Sequence, residues 1–345
     1  MTNSSTSLEG LDLGALDRHL NEAGIPRSGE LRAELISGGR SNLTFLVADD
    51  ASKWVLRRPP LHGLTPSAHD MAREYRVVAA LEDTPVPVAR AVTMRNDDSV
   101  GGAPFQMVEY VPGRVVRHAD ELEALGDRES ISSCVDALIK VLADLHSVDP
   151  AAVGLGDFGK PTGYLERQVR RWGSQWELVH RENDPFDADV RRLHSALAEA
   201  IPAQSRTSIV HGDFRIDNTI LDSEDATRVH AVLDWEMSTL GDPISDAALM
   251  CVYRHPLFNV IHASSAWASP LMPEADDLAH RYSLAAEQSL HNWDFYMALG
   301  YFKVAIIAAG IAFRARMGGS VAVDTDQVDQ AVGPLMAAGL SALRE

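Results

Sequence analysis

Two cysteines in 345 residues, Cys134 and Cys251, are too few for a disulfide framework, and neither sits in a CxxC pair or beside a histidine cluster. They read as small buried apolar side chains in a reducing compartment. Positive charge is also short. The 31 Lys and Arg against 49 Asp and Glu leave a formal charge of -18, which argues against nucleic acid or an anionic membrane surface as a partner. The longest apolar run, Val304 to Phe313, has ten residues, includes Gly310 and is bracketed by Lys303 and Arg314. That is about half of a bilayer span. The first ten residues, MTNSSTSLEG, hold neither a basic nor an apolar leader segment, and the first positive side chain is Arg18. From these absences we expect a cytoplasmic chain whose partners include no nucleic acid and no membrane.

What is present is ordinary globular composition, 46% hydrophobic and 23% charged. At roughly 150 residues per domain the length suits two lobes. Leu11, Leu13, Leu16 and Leu20 predict an N-terminal helix. Short β-prone runs follow at Glu34–Ile36, Thr44–Val47 and Trp54–Leu56, then a helix over Ser67–Leu81, then β-prone stretches at Val86–Met94 and Phe105–Tyr110. Val111-Pro112-Gly113 marks the boundary, giving an N-terminal lobe over 1–110 and a C-terminal lobe over 111–345. The second lobe opens with an amphipathic helix from Ile131 to His146 and continues mostly helical, including a long helix over His291–Met317. The fold class is therefore α+β: a small antiparallel sheet lobe and a larger helical lobe.

The densest chemistry lies in Ile209-Val210-His211-Gly212-Asp213-Phe214-Arg215-Ile216-Asp217-Asn218, followed by Ala231-Val232-Leu233-Asp234-Trp235-Glu236. Strands ending in polar loops would bring Asp213, Asn218 and Asp234 into one acidic site. A carboxylate with an amide oxygen is a hard donor pair of the kind that holds Mg²⁺ together with water and nucleotide phosphate, which leaves Asp213 facing a hydroxyl. His211 suits a loop brace better than a general base.

His-Gly-Asp-x4-Asn, with an aspartate sixteen residues later in Leu-Asp-Trp-Glu, resembles the catalytic core of aminoglycoside phosphotransferases and choline kinases, relatives of the protein-kinase fold. The resemblance implies that Asp213 is the catalytic aspartate and that Asn218 and Asp234 bind the metal. It also makes demands on the first lobe. Gly38, Gly39, Arg40, Ser41 and Asn42 supply a Gly-rich turn for phosphates. Arg57, with Arg58 as the alternative register, stands where the family has lysine. Glu74 shares a helical stripe with Met71, Val78 and Leu81 and needs a buried partner, for which Arg57 is the candidate. The backbone of Glu109 to Val111 is placed to meet an adenine edge. Leu-Arg-Arg-Pro-Pro and the C-terminal Trp293–Leu299 and Arg-Ala-Arg-Met-Gly-Gly segments are similar to the branch fused in some proteins to acyl-CoA dehydrogenases.

The implied activity is an ATP- and Mg²⁺-dependent kinase for a small hydroxylated molecule, with an aminoglycoside, a choline-like amine and a hydroxyacyl-CoA all open as acceptors. Two other classes stand beside it: a nucleotide-binding pseudokinase, suggested by Arg57, and a metal-dependent hydrolase using His211, Asp213 and Asp234. Sequence says nothing of the oligomeric state.

Overall fold

The computed structural model describes residues 8, 10–37, 42–60, 70–98, 100, 102–262, 264–318 and 323–344. Gly38, Gly39, Arg40 and Ser41 of the expected phosphate turn lie outside the described residues, as does the expected helix start at Ser67. The chain divides into two compact units, 1–112 with 230–238, and 113–229 with 239–345.

The first unit contains α1 (Leu13–Glu22), β1 (Arg32–Ser37), β2 (Leu43–Ala48), β3 (Lys53–Arg58), α2 (Met71–Leu81), β4 (Ala91–Arg95) and β5 (Phe105–Glu109). Its five strands form an antiparallel sheet in the order β1-β2-β3-β5-β4. Side chains alternate across a strand, so the sheet has two distinct faces. One buries Phe45, Val47, Trp54, Leu56, Phe105 and Met107 against Leu16 and Leu20 of α1. Arg58 belongs to that face, where it is buried and donates to the Gly10 carbonyl. The other face, carrying Arg57 and Gln106, meets α2. Asp70 caps α2 by accepting from the Arg73 amide at 3.0 Å, ahead of the first helical residue Met71. The strand expected from Val86 begins only at Ala91, because Pro85 and Pro87 supply no amide hydrogen to a ladder. Pro87 instead accepts from Val232 at 2.8 Å, Arg73 donates to the Ser238 carbonyl at 3.0 Å, and His230 Nδ1 lies 3.0 Å from the Pro112 carbonyl. These bonds explain why 230–238, far along the chain, belongs to the first unit.

The second unit holds α3 (Ala119–Glu123), α4 (Arg128–Ser147), α5 (Tyr164–Val179), α6 (Asp187–Glu199), β6 (Ser208–Val210) and β7 (Thr219–Leu221). After β8 (Val229–Val232), where the chain passes to the first unit, come β9 (Thr239–Gly241), α7 (Pro243–Val252), α8 (Phe258–Ile261), α9 (Ala275–Ala285), α10 (Trp293–Arg316), α11 (Thr325–Gln330) and α12 (Val332–Ala342). β6 pairs antiparallel with β9. By length and composition α10 could cross a membrane, yet 72% of its most apolar window is buried inside the protein. A helix apolar on all sides is a core helix, and α10 packs against α5, α6, α7, α11 and α12. Gly300 permits this: a Cβ there would come within 2.9 Å of Val252 Cγ2 on α7.

Candidate active site

In the first unit the polar cluster follows from register. Arg57 stands opposite Thr44 in β2 and Gln106 in β5. Its Nη1 donates to Glu74 Oε2 at 2.9 Å and its Nη2 to Asp234 Oδ1 at 3.4 Å. Glu74 is 2% exposed. Burial raises its carboxyl to about 7, against the pull of Arg57 and with the push of Asp234 and Glu236. A carboxyl raised on folding favours the fold at low pH, and that advantage is lost as pH rises from 4.5 through about 7. Between pH 4.5 and 8, wild type should therefore lose about 3 kcal/mol of stability more than Glu74→Gln. Denaturant titrations at both pH values check this, and parallel losses contradict it.

Asp234 adopts φ +62°, a left-handed conformation that few non-glycine residues hold and that aspartate tolerates better than most. Sequence placed Asp234 at a strand end, but it sits in the turn after β8, beside Arg57. Asn42 is buried, with its amide turned to Glu74 rather than outward with a phosphate turn. The Glu109 amide is committed to the Arg90 carbonyl at 2.8 Å and the Tyr110 amide to Lys53 at 3.0 Å. Glu109 thus has no N–H to offer an adenine edge, whereas the Val111 amide carries no hydrogen bond among the described residues.

In the second unit β6 delivers His211, Gly212 and Asp213 into a braced loop. Gly212 has φ +83°, which its lack of Cβ allows. Asp246 in the first turn of α7 accepts the His211 amide at 2.6 Å and the Gly212 amide at 2.9 Å. Asp242 caps α7 ahead of Pro243 and also accepts from the Ser205 amide and hydroxyl, each at 2.6 Å, and from Tyr296 at 2.8 Å. Burial keeps His146 neutral. Its Nε2 must donate to Asp246 (3.3 Å), because a carboxylate only accepts, so Nδ1 accepts from Tyr282 (2.7 Å). His211 is fully buried, with Nδ1 accepting the Asp213 amide at 3.2 Å, a bracing contact within the loop.

Asp213 keeps 25% of its side chain exposed. Its Oδ1 accepts from the Tyr253 hydroxyl at 2.5 Å, and its Oδ2 from Arg215 Nη2 and Asn218 Nδ2, each at 3.1 Å. Burial alone would raise this carboxyl. Arg215, the Tyr253 hydroxyl, Lys303 and His211 outweigh it and hold Asp213 well below the usual carboxylate range. Lys303 on α10 donates to the Gly212 carbonyl at 2.5 Å, and burial lowers it to about 8. Arg215 also pairs with Asp217 at 2.8 Å, and its guanidinium carbon lies 5.4 Å from the ring centroids of both Tyr253 and Phe258. Asn218 Nδ2 donates to the Asp213 carbonyl at 2.8 Å, which leaves its amide oxygen without a hydrogen bond among the described residues.

Each unit offers a hard oxygen donor of the kind Mg²⁺ takes, Asn218 Oδ1 in the second and the Asp234 carboxylate in the first. No group of three or more His, Cys, Asp or Glu side chains suited to hold a metal occurs among the described residues. Sequence reasoning missed Tyr253, Arg215, Lys303 and Gln106. Only Arg215, two positions from Asp213 in the same loop, carried a local signal.

The APH phosphotransferase enzyme family matches residues 32–293. Acyl-CoA dehydrogenase family member 10 of Mus musculus is 36% identical over 312 residues, which cover 88% of this chain and 28% of that protein. The chain spans less than half the length of the acyl-CoA dehydrogenase relatives it matches. A Ralstonia eutropha crystal structure, whose name assigns it provisionally to the aminoglycoside phosphotransferases, superposes with a TM-score of 0.81 at 30% identity over 97% of this chain and 98% of that one. A thermostable mutant of aminoglycoside phosphotransferase APH(4)-Ia, in ternary complex with AMP-PNP and hygromycin B, shares the fold at a TM-score of 0.60 and 15% identity, over 96% and 98% of the two chains. With a kinase-like architecture and a family match over most of its length, the chain belongs to the APH phosphotransferase enzyme family.

Proposed function

We propose that the chain transfers the terminal phosphoryl group of ATP to a hydroxyl of a small molecule, with Mg²⁺. The observation that carries this reading is the Asp213 carboxylate: partly exposed, held ionised, and fixed by Asn218 in a way that leaves the amide oxygen over for a cation. Nucleotide use is supported by the AMP-PNP complex of the fold neighbour.

An ionised Asp213 accepts a hydrogen bond from the acceptor hydroxyl and aims its oxygen at the phosphorus. Held so far below neutral it is a weak base, so it takes the proton late, as the oxygen–phosphorus bond forms and the bond to the ADP oxygen breaks. Arg57, kept in place by Glu74, supplies a cation for the nucleotide phosphates. A metal would neutralise phosphate charge, with Asn218 and Asp234 as the candidate donors that the family resemblance implies. Arginine in place of the family lysine retains the charge, and its pairing with buried Glu74 favours an enzyme over a pseudokinase. Buried His211 leaves the hydrolase reading without an exposed histidine ligand.

Among acceptors we favour a hydroxyacyl thioester, on the strength of the acyl-CoA dehydrogenase relatives. The overall charge of -18 does not weigh against it locally, since Arg215 and Lys303 stand next to Asp213. A screen of hydroxyacyl-CoAs, aminoglycosides and choline-like amines for ADP release tests this. A hydroxyacyl-CoA should raise release about tenfold or more above the water-only rate, within the range of a positioned acceptor. Stimulation by an aminoglycoside alone would overturn the acceptor class, and stimulation by none would overturn the kinase reading.

A further inference from the structure

Three donors converge on Glu74. Arg57 Nη1 at 2.9 Å and Gln106 Nε2 at 2.7 Å share Oε2, and Asn42 Nδ2 reaches Oε1 at 3.4 Å. Gln106 and Asn42 are 5% and 3% exposed. In its ionised form, paired with Arg57, Glu74 only accepts, so each amide turns its NH₂ toward it, which fixes its orientation. The consequence is that Gln106 Oε1 and Asn42 Oδ1 are both buried with no hydrogen-bond partner among the described residues. An orphaned buried acceptor destabilises a fold, and an apolar side chain at either position would remove the penalty. Two such orphans around one carboxylate mark a place where local stability is given up for geometry.

The geometry at stake is that of arginine. A guanidinium beside a carboxylate prefers to fork, placing two N–H groups on the two oxygens. Forked onto Glu74, Arg57 would spend both Nη groups on it. In the structure the amides occupy both Glu74 oxygens, Arg57 makes a single contact through Nη1, and Nη2 points away toward Asp234. We infer that Gln106 and Asn42 are positioning residues for the phosphate-binding arginine: by filling the Glu74 oxygens they prevent the forked pair and leave Nη2, which meets Asp234 at 3.4 Å, able to turn onto nucleotide phosphate. A lysine at this position could not fork and would not need them. The inference rests on the nucleotide-binding reading above.

Calorimetric titration of adenosine and of Mg·ADP into wild type, Gln106→Leu and Gln106→Met tests it, with melting temperatures alongside. Both variants should lose about tenfold in ADP affinity, the scale of one hydrogen bond to a charged group, while adenosine affinity holds and the melting temperature stays level or rises. In an Arg57→Lys background, Gln106→Met should leave ADP affinity nearly unchanged. Unchanged ADP binding in the single variants, parallel loss of adenosine and ADP with a lowered melting temperature, or an equal loss in both backgrounds would each overturn the inference while leaving the nucleotide reading intact. Wild type that binds neither ligand would overturn that reading and the inference with it.

Discussion

Asp213→Asn should slow phosphoryl transfer about 10³-fold while leaving nucleotide affinity unchanged, the signature of losing a proton acceptor that acts only as the hydroxyl attacks. The substitution keeps the shape of the side chain and leaves Arg215 its pairing with Asp217 at 2.8 Å, so the loop should stay folded. Single-turnover kinetics with the acceptor, beside calorimetric nucleotide titration, separate the two effects. An equal loss of nucleotide affinity would mean that Asp213 shapes the loop rather than taking the proton.

The second large effect lies beneath the loop. Asp246 is 2% exposed and accepts from the His211 and Gly212 amides and from His146. Burial alone would raise its carboxyl, yet His146 and His211 hold it below the ordinary value, so it is ionised in the folded chain. Asp246→Ala strands two buried amides and a histidine N–H together, and three buried donors left without an acceptor at about 1–3 kcal/mol each make a loss of about 3–5 kcal/mol. Against a total stability of about 5–15 kcal/mol, that is enough to unfold a sizeable fraction of the protein at elevated temperature. Urea denaturation followed by tryptophan fluorescence should show the shift. A loss under about 1 kcal/mol, the scale of an ordinary surface substitution, would mean that α7 does not hold the loop.

The parts of the fold and site that were legible in sequence are the parts whose cause is local. His211, Asp213 and Asn218 fall within eight consecutive residues of one loop. Glu74 announced its need of a partner through helical spacing alone, because the stripe of Met71, Val78 and Leu81 faces the sheet. Alternation across β3 then separates Arg57 from Arg58, a choice sequence left open.

What escaped depends on contacts made across long stretches of chain. Tyr253 reaches Asp213 over 40 residues and Lys303 reaches Gly212 over 91, and nothing near either position signals the target. Lys303 read as the polar edge of an apolar run, whereas it is the one lysine of α10 and reaches the Gly212 carbonyl in the loop after β6. The placement of 230–238 with the first unit hangs on a backbone bond from Val232 to Pro87 and on the His230 ring beside the Pro112 carbonyl, which no periodicity encodes. α12 went unnoticed because Gly333, Pro334 and Gly339 suppress its helical signal. Gly339 is there for packing, since a Cβ would meet Leu193 Cδ2 at 2.6 Å.

The most direct test follows the phosphorus atom. Incubation of the protein with Mg·ATP and the stimulating acceptor, observed by ³¹P NMR, should show a new phosphomonoester on the acceptor growing as ADP appears, absent from Asp213→Asn and abolished when Mg²⁺ is chelated. A phosphorus signal that ends only in inorganic phosphate, or an ester that forms equally well in Asp213→Asn, would contradict it.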